Sequence, residues 1–164
     1  MTTRGTFGHV KLAAKPAAPS PVQLTAIAST VATSSESRTI SGTITLYDTP
    51  SSSQGIVIHP EALAAREPLE RVKLLRDHNH ADPVGYMQSV DLAANPPTAT
   101  FYVPEGDNGD RALQEATDHL RDGLSIGFAV KQYAFDDAYN LHVYEAELYE
   151  TSLCAIPEDR KSVV

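Results

Sequence analysis

The sequence predicts a mainly β protein, an antiparallel barrel or sandwich with helices added to its surface. Two observations lead to this fold class. Roughly seven segments of the chain have strand-like composition and alternation, and they are separated by turns and irregular loops. Only one segment has convincing helical periodicity, so a regular series of β-α-β units is excluded. With 164 residues, of which 41% are apolar, the chain is long enough for one domain with its own core.

The first strand is expected where the composition changes at Arg38. Residues 1–37 are predicted to form a flexible N-terminal arm, because this segment is rich in Ala, Ser, Thr and Pro and has no sustained periodicity. The folded domain is predicted to span residues 38–164. It begins with RTISGTITLYD, in which Ile40, Ile44 and Leu46 alternate in part with Thr and Ser.

The next segments predict a short strand, a hairpin and a further strand. After a loop at 49–55, IVIHPEALAARE is expected to form a strand that leads into a helical turn. RVKLLRDHNHADPVGYMQSVDL predicts one strand to about residue 77, a polar turn closed by Asp82 and Pro83, and a second strand from Gly85 to Leu92. TATFYVPE predicts another strand, with a proline at its end.

The C-terminal third predicts the helix and the last strands. Asp107–Asp122 is expected to be helical because its apolar residues, Leu120 among them, fall on one face. Asp107 or Asn108 is the candidate N-cap, and Gly123 is expected to end the helix as a C′ glycine. LSIGFAV then predicts a strand, and LHVYEAELYETSLCAI one that is long enough to be two or to bend once.

Composition excludes several classes of function. The net charge of −8 and the pI of about 5.1 argue against a nucleic-acid partner, because phosphate binding requires a basic surface. The single cysteine, Cys154, allows no intramolecular disulfide and no cysteine-rich zinc site. Neither a signal peptide nor a membrane span is predicted, since Thr and Ser interrupt the apolar residues near the N-terminus. We therefore expect a cytoplasmic protein.

Residues 121–130, RDGLSIGFAV, contain the pattern G-x-S-x-G around Ser125. In the nucleophile elbow of α/β-hydrolases this pattern follows a strand and precedes a helix. Here the predicted helix comes before Ser125 and the strand after it, so the elbow interpretation is rejected. Strand alternation places Ser125, Gly127 and Ala129 on a face of small residues. This face either admits a substrate or packs closely against a neighbouring layer.

Two histidines close in sequence are candidates for the base that a serine nucleophile needs. His78 and His80 follow a predicted strand, where a rigid scaffold would present them. A rival interpretation is a metal-dependent hydrolase that uses His78, His80 and Asp82, since their spacing resembles the start of the metallo-β-lactamase-like motif. That motif continues with another histidine, where this chain has Pro83. His142 and His119 would complete a zinc site only by chance proximity.

The last predicted strand carries three glutamates. Regular alternation places Glu150 on one face with Leu148 and Ser152, and Glu145 and Glu147 on the other. A carboxylate among apolar neighbours is either buried with a partner or solvated at a strand edge. Both alternatives remain open for Glu150 at this level.

Five segments together resemble the prohead serine proteases of tailed bacteriophages. In chain order, the resemblance rests on RTISGTITLYD, GIVIHPEAL, VKLLRDHNHADPVGY, LRDGLSIGFAV and EAELYETSLCAIP. It extends from about Arg38 to Pro157. The third segment contains the histidine of the family, followed seven residues later by glycine, and the last one resembles its Leu-x-Glu-x-Ser segment.

The resemblance implies a fold similar to the herpesvirus maturation protease, a closed and mostly antiparallel β-barrel flanked by helices. It also implies catalysis by His78 as base and Ser125 as nucleophile, without a cofactor or a metal. Glu150 is our choice for the acid that orients His78, and Glu147 and His142 are the alternatives.

The implied function is cleavage of the phage major capsid protein in its scaffold region, and of the protease itself, during prohead maturation. This would take place inside the assembling prohead, in the cytoplasm of the host cell. The protease would not bind nucleic acid or a membrane, and a homo-oligomer is allowed. The alternative within the same family is a catalytically inactive structural component of the prohead.

Overall fold

The computed structural model of the protein describes residues 31–51 and 54–155, together with the backbone of residues 22–24. These residues form ten strands, one α-helix and one short 3-10 helix at Leu69–Arg71. The strands and the helix are β1 (Val22–Leu24), β2 (Ala32–Ser34), β3 (Thr39–Thr43), β4 (Ile56–Ile58), β5 (Leu63–Ala65), β6 (Lys73–Arg76), β7 (Asn79–Asp91), β8 (Thr98–Tyr102), α1 (Asp107–Thr117), β9 (Gly123–Phe135) and β10 (Leu141–Cys154).

All ten strands belong to one mixed sheet. Its main path runs β1-β9-β10-β6-β7-β8-β3-β2, and β4 and β5 also pair with β10. The neighbours along this path are antiparallel except for β10 and β6, and β10 is also parallel to β4 and β5. Among the described strands, β10 therefore has the most partners, because it pairs with β4, β5, β6 and β9.

The prediction of a closed barrel is wrong, whereas the mainly β class with an added helix is confirmed. Among the described residues no ladder joins β1 to β2, so the sheet stays open. The helix α1 contacts β2, β3 and β7, and it contributes Ala112, Leu113 and Ala116 to the core. A helix rather than a further pair of strands therefore covers this part of the sheet, which is a common way to protect an edge.

Three local predictions differ from the structure. The segment expected to form a helical turn after β4 is the strand β5, because pairing with β10 outweighs the helix propensity of its alanines. The hairpin between β6 and β7 turns at Asp77 and His78 instead of at Asp82 and Pro83. As a result, the residues expected in the turn belong to β7.

The helix α1 ends five residues earlier than predicted, at Thr117 instead of Asp122. His119 adopts φ +57°, and the N–H groups of His119 and Leu120 bond to the carbonyls of Ala116 and Glu115. These are the two hydrogen bonds of a Schellman motif, with histidine at the position that glycine usually takes. Gly123 accordingly starts β9, and Leu120 is 61% exposed instead of packing on the apolar face. The N-cap is Gly106, not Asp107 or Asn108.

Two parts of the expected N-terminal arm form strands. β1 pairs with β9 along Ile126–Phe128, and β2 pairs with β3 after the buried Val31. Regular structure therefore begins before Arg38. The rest of the expected arm, residues 1–21 and 25–30, lies outside the described residues, as do residues 156–164 at the C-terminal end of the expected domain.

Candidate active site

The ladder between β9 and β10 determines which side chains meet across it. Ser125 lies opposite Ser152, and Gly127 lies opposite Glu150. The register shifts between Leu148 and Glu150, because Leu148 pairs with Phe128 and Tyr149 is the extra residue of a β-bulge. The bulge brings Glu150 onto the face of Ser125, away from Leu148. The predicted sharing of a face by Glu150 and Leu148 is therefore wrong, while Ser152 does share the face of Glu150.

His78 projects from a strained two-residue hairpin turn. Arg76 and Asn79 pair across the hairpin, and Asp77 and His78 between them have φ +48° and +57°. Positive φ at both central residues is characteristic of a type I′ turn, whose second central position favours glycine. Two contacts with β10 hold the turn. The N–H of Asp77 donates to the Leu153 carbonyl at 3.2 Å, and the N–H of His78 donates to Ser152 Oγ at 3.0 Å.

Two hydrogen bonds connect Glu150, His78 and Ser125 in a chain. His78 Nδ1 lies 2.8 Å from Glu150 Oε1, and His78 Nε2 lies 2.7 Å from Ser125 Oγ. When Nδ1 carries its proton and donates it to the carboxylate, Nε2 is left to accept the proton of the serine hydroxyl. Ser125 and Glu150 are buried, at 0% and 3% exposure, so the surrounding water screens these contacts little.

Gly127 provides the space that the carboxylate of Glu150 occupies. A Cβ at this position would lie 2.3 Å from Glu150 Oε1 and 2.8 Å from its Cδ and Cγ. Only glycine, which has no Cβ, leaves room for the carboxylate in its observed position.

The charges around the site are paired or neutral. Arg121 donates from Nε and Nη2 to Asp77 Oδ2, at 3.0 and 2.7 Å, and this hydrogen bond raises the pKa of the guanidinium. Cys154, on the same sheet face as Ser152, is a buried thiol. Burial, and secondarily the negative charges of Asp77 and Glu150, raise its pKa to about 12. The cysteine is therefore protonated at neutral pH, and Ser125 is the better candidate for a nucleophile.

A family model described as Caudovirus prohead serine protease matches residues 25–164. The chain belongs to this family. Membership implies serine peptidase activity and a role in maturation of the phage prohead, which assembles inside the host cell. The comparisons with curated proteins and with solved structures gave no match, so the expected relation to the herpesvirus protease stays a prediction. None of the described helices is long and apolar enough to cross a bilayer.

The two alternative partners of His78 lie elsewhere in this prohead protease. Glu147 Oε1 accepts a hydrogen bond of 2.8 Å from Arg66 Nε at the surface. His142 belongs to a polar cluster at the other end of β10. Its Nδ1 lies 2.9 Å from His59 Nε2, and its Nε2 lies 3.1 Å from Asp136 Oδ2. Of the three candidates, only Glu150 contacts His78.

The candidate metal ligands do not converge. Asp82 binds Arg76 and Asn108, which turns its carboxylate toward the helix α1. His78 is engaged by Ser125 and Glu150, while His80 lines a pocket of about 210 Å³ beside Glu150. Within the part of the chain that the structure describes, no three His, Cys, Asp or Glu side chains are grouped so that they could hold a metal ion.

Sequence reasoning missed two residues that hold the site together. Ser152 was placed on the face of Glu150, but its contacts with Glu150 and with the main chain of His78 were not foreseen. Gly127 belongs to the predicted face of small residues that admits a substrate or packs closely, and its missing side chain accommodates Glu150. The available signal was the shared alternation of Glu150 with Ser152 and of Ser125 with Gly127 on neighbouring strands.

Proposed function

We propose that this chain is an active serine endopeptidase that cleaves the scaffold region of the phage major capsid protein, and itself, during prohead maturation. Ser125 is the nucleophile, His78 the general base, and Glu150 the acid that orients the histidine. The observation that carries this proposal is the chain of hydrogen bonds from Glu150 through His78 to Ser125, of 2.8 and 2.7 Å, in a member of a serine protease family.

The mechanism follows from the direction of these bonds. Ser125 Oγ attacks the scissile carbonyl carbon as His78 Nε2 takes the hydroxyl proton. The imidazolium then gives this proton to the departing amine, the C–N bond breaks, and an acyl-enzyme remains. Water, deprotonated by the same nitrogen, hydrolyses the ester and restores Ser125. Glu150 keeps the Nδ1 proton in place and stabilises the transient imidazolium.

Access to the nucleophile is part of this mechanism. Ser125 has no exposed surface, and the side chain of His78 is 17% exposed. A peptide carbonyl reaches Oγ only after the groups that cover the serine move aside. Such opening steps are common in enzymes that must exclude water from the reacting atoms.

The first test is processing of the capsid protein. The protease is co-expressed with the capsid protein and its scaffold region, and cleavage is followed by mass spectrometry. Ser125→Ala and His78→Ala are expected to lose cleavage by several orders of magnitude, since the members of a triad act as a unit. Ser89→Ala, at an exposed serine, is the matched control. Unchanged processing by Ser125→Ala would contradict the proposal. Incorporation of the wild type without any cleavage would identify an inactive structural component.

A matched pair of glutamates tests the assignment of the acid. Glu150→Gln is expected to lower the rate about 10²- to 10⁴-fold, because an amide does not enforce the productive tautomer of His78. Glu147→Gln removes the same charge from the same strand, but only from an exposed pair with Arg66, and is expected to leave the rate unchanged. The opposite result would reassign the acid to Glu147.

A further inference from the structure

We propose that Ser152 is a positioning residue that fixes both the acid and the base of the triad; this inference rests on the proposed function. Ser152 is completely buried on β10. Its Oγ donates a hydrogen bond of 3.1 Å to Glu150 Oε2 and accepts one of 3.0 Å from the main-chain N–H of His78. A single hydroxyl therefore connects the carboxylate of the acid to the backbone that carries the base.

The contact with Glu150 fixes the plane of the carboxylate beside the imidazole. A carboxylate whose second oxygen has no partner can rotate about the Cγ–Cδ bond, which turns both oxygens away from the ring. Oε2 is held by the only proton of the Ser152 hydroxyl, so Oε1 is directed at His78 Nδ1. Because Glu150 is 3% exposed, the hydroxyl supplies a bond that water would otherwise have to provide.

The contact with His78 stabilises an unfavourable backbone conformation. His78 has φ +57° in the turn, a left-handed conformation that is unfavourable for a residue with a Cβ. The bond from its N–H to Ser152 Oγ gives this amide a buried partner. The same bond fixes the point from which the imidazole side chain departs.

The position of Ser152 in the sheet makes this arrangement rigid. Ser152 lies opposite Ser125 in the β9–β10 ladder and opposite Leu75 in the neighbouring β6. Partners that lie directly opposite in an antiparallel ladder are held about 4.5–5.5 Å apart at their Cβ atoms. The nucleophile and the serine that positions its two partners are thus fixed by the same pair of strands.

The next residue provides a matched control. Thr151 is also completely buried on β10, and it lies opposite Ile126, on the other face of the sheet. Its Oγ1 has no hydrogen-bond partner among the described residues. Thr151→Val removes a buried hydroxyl from the same strand at nearly constant volume without touching Glu150 or His78.

The test measures the reactivity of Ser125 with a fluorophosphonate probe in the full chain, so no peptide substrate has to be known. Rates are recorded from pH 5 to 9 for the wild type, Ser152→Ala, Ser152→Cys and Thr151→Val. Ser152→Ala is expected to react about 10- to 100-fold more slowly, because the acid loses a charge-assisted hydrogen bond. Ser152→Cys keeps a weak donor and is expected to fall between Ser152→Ala and the wild type, and Thr151→Val is expected to match the wild type.

Two further readouts separate positioning from a merely structural role. Without the Ser152 hydroxyl the carboxylate of Glu150 is no longer held in one orientation against His78 Nδ1, so the rate–pH profile should change its shape as well as its height. The downfield proton resonance of His78 Nδ1 should shift or broaden in Ser152→Ala and remain unchanged in Thr151→Val. A structural role would lower the rate without moving either signal.

Each outcome decides between the two proposals. If Ser125→Ala abolishes labelling while Ser152→Ala reacts at the wild-type rate with an unchanged profile, the triad stands and the role of Ser152 is refuted. Equal losses in Thr151→Val and Ser152→Ala would also refute it. Labelling of Ser125→Ala at the wild-type rate would instead overturn the proposed function. If Ser152→Ala does not fold, the rate and the Nδ1 resonance of Ser152→Cys decide in its place.

Discussion

Replacement of Gly127 by alanine is expected to inactivate the enzyme without unfolding it. The added Cβ would lie 2.3 Å from Glu150 Oε1, whereas non-bonded carbon contacts are favourable at about 3.5–4.0 Å. The carboxylate must therefore move by about 1 Å or more. Oε1 and Oε2 are already held at hydrogen-bond distance by His78 and Ser152, so this displacement misaligns both contacts.

The magnitude follows from the geometry. A misplacement of about 1 Å in a catalytic arrangement can lower the rate about 10²-fold, and we expect a loss of at least this size. The fold should tolerate the change, because the three atoms nearest to the added Cβ belong to the side chain of Glu150 and not to the backbone. An alanine in place of a strand glycine also adds about 0.5–1 kcal/mol of backbone stability, which partly offsets the strain.

The assay is fluorophosphonate labelling of Gly127→Ala, with thermal unfolding as the control for folding. A double-mutant cycle makes the test specific. In a Glu150→Ala background there is no carboxylate to displace, so the further change Gly127→Ala should leave the residual rate nearly unaltered. Two results would contradict this reasoning: Gly127→Ala is labelled at the wild-type rate, or Gly127→Ala lowers the rate equally in the wild type and in Glu150→Ala. Either would show that the position of the carboxylate does not depend on the missing side chain of Gly127.

Two other predictions concern groups whose pKa is shifted. Burial and nearby negative charge raise the pKa of Cys154 to about 12, so iodoacetamide should alkylate it at pH 8 about 10³-fold more slowly in the native protein than in urea; comparable rates would refute its burial. A hydrogen bond from Asn108 and, against the effect of burial, contacts with Arg76 lower the pKa of Asp82. The stability that this carboxylate contributes is present above the ordinary pKa of an aspartate and is lost as the pH falls through the lowered value. Urea unfolding should thus separate the wild type from Asp82→Asn clearly at pH 7 and much less in strong acid, whereas a difference independent of pH would contradict this.

The sequence was most informative where a pattern depends on the local chain alone. The strand at β9 followed from alternation around Ser125, and the segment of β10 was expected to be two strands or one that bends once; it is one strand with shifts in its register to β9. His78 and Ser125 were selected by their place in a family pattern, and the structure brings their side chains to 2.7 Å. Their catalytic roles remain a prediction until the variants are measured.

Features that depend on pairing between distant strands were not predictable. The face of Glu150 is determined by the bulge at Tyr149, which becomes apparent only when β10 is aligned with β9. The type I′ turn at Asp77 and His78 lacks the usual glycine, so the proline at position 83 was the stronger turn signal. Parallel pairing with β10 likewise turned an alanine-rich segment into β5.

At position 78, the residue that would suit the turn best differs from the residue that the proposed mechanism needs. A glycine at this position would adopt the left-handed backbone without strain, but it would remove the imidazole. The sequence that suits the turn best is thus one without a base, and selection for folding alone would move this position away from histidine. Local strain of this kind is typical of positions where the surrounding structure enforces a functional conformation. In the proposed mechanism, the hairpin accepts this backbone strain because the turn has to present an imidazole.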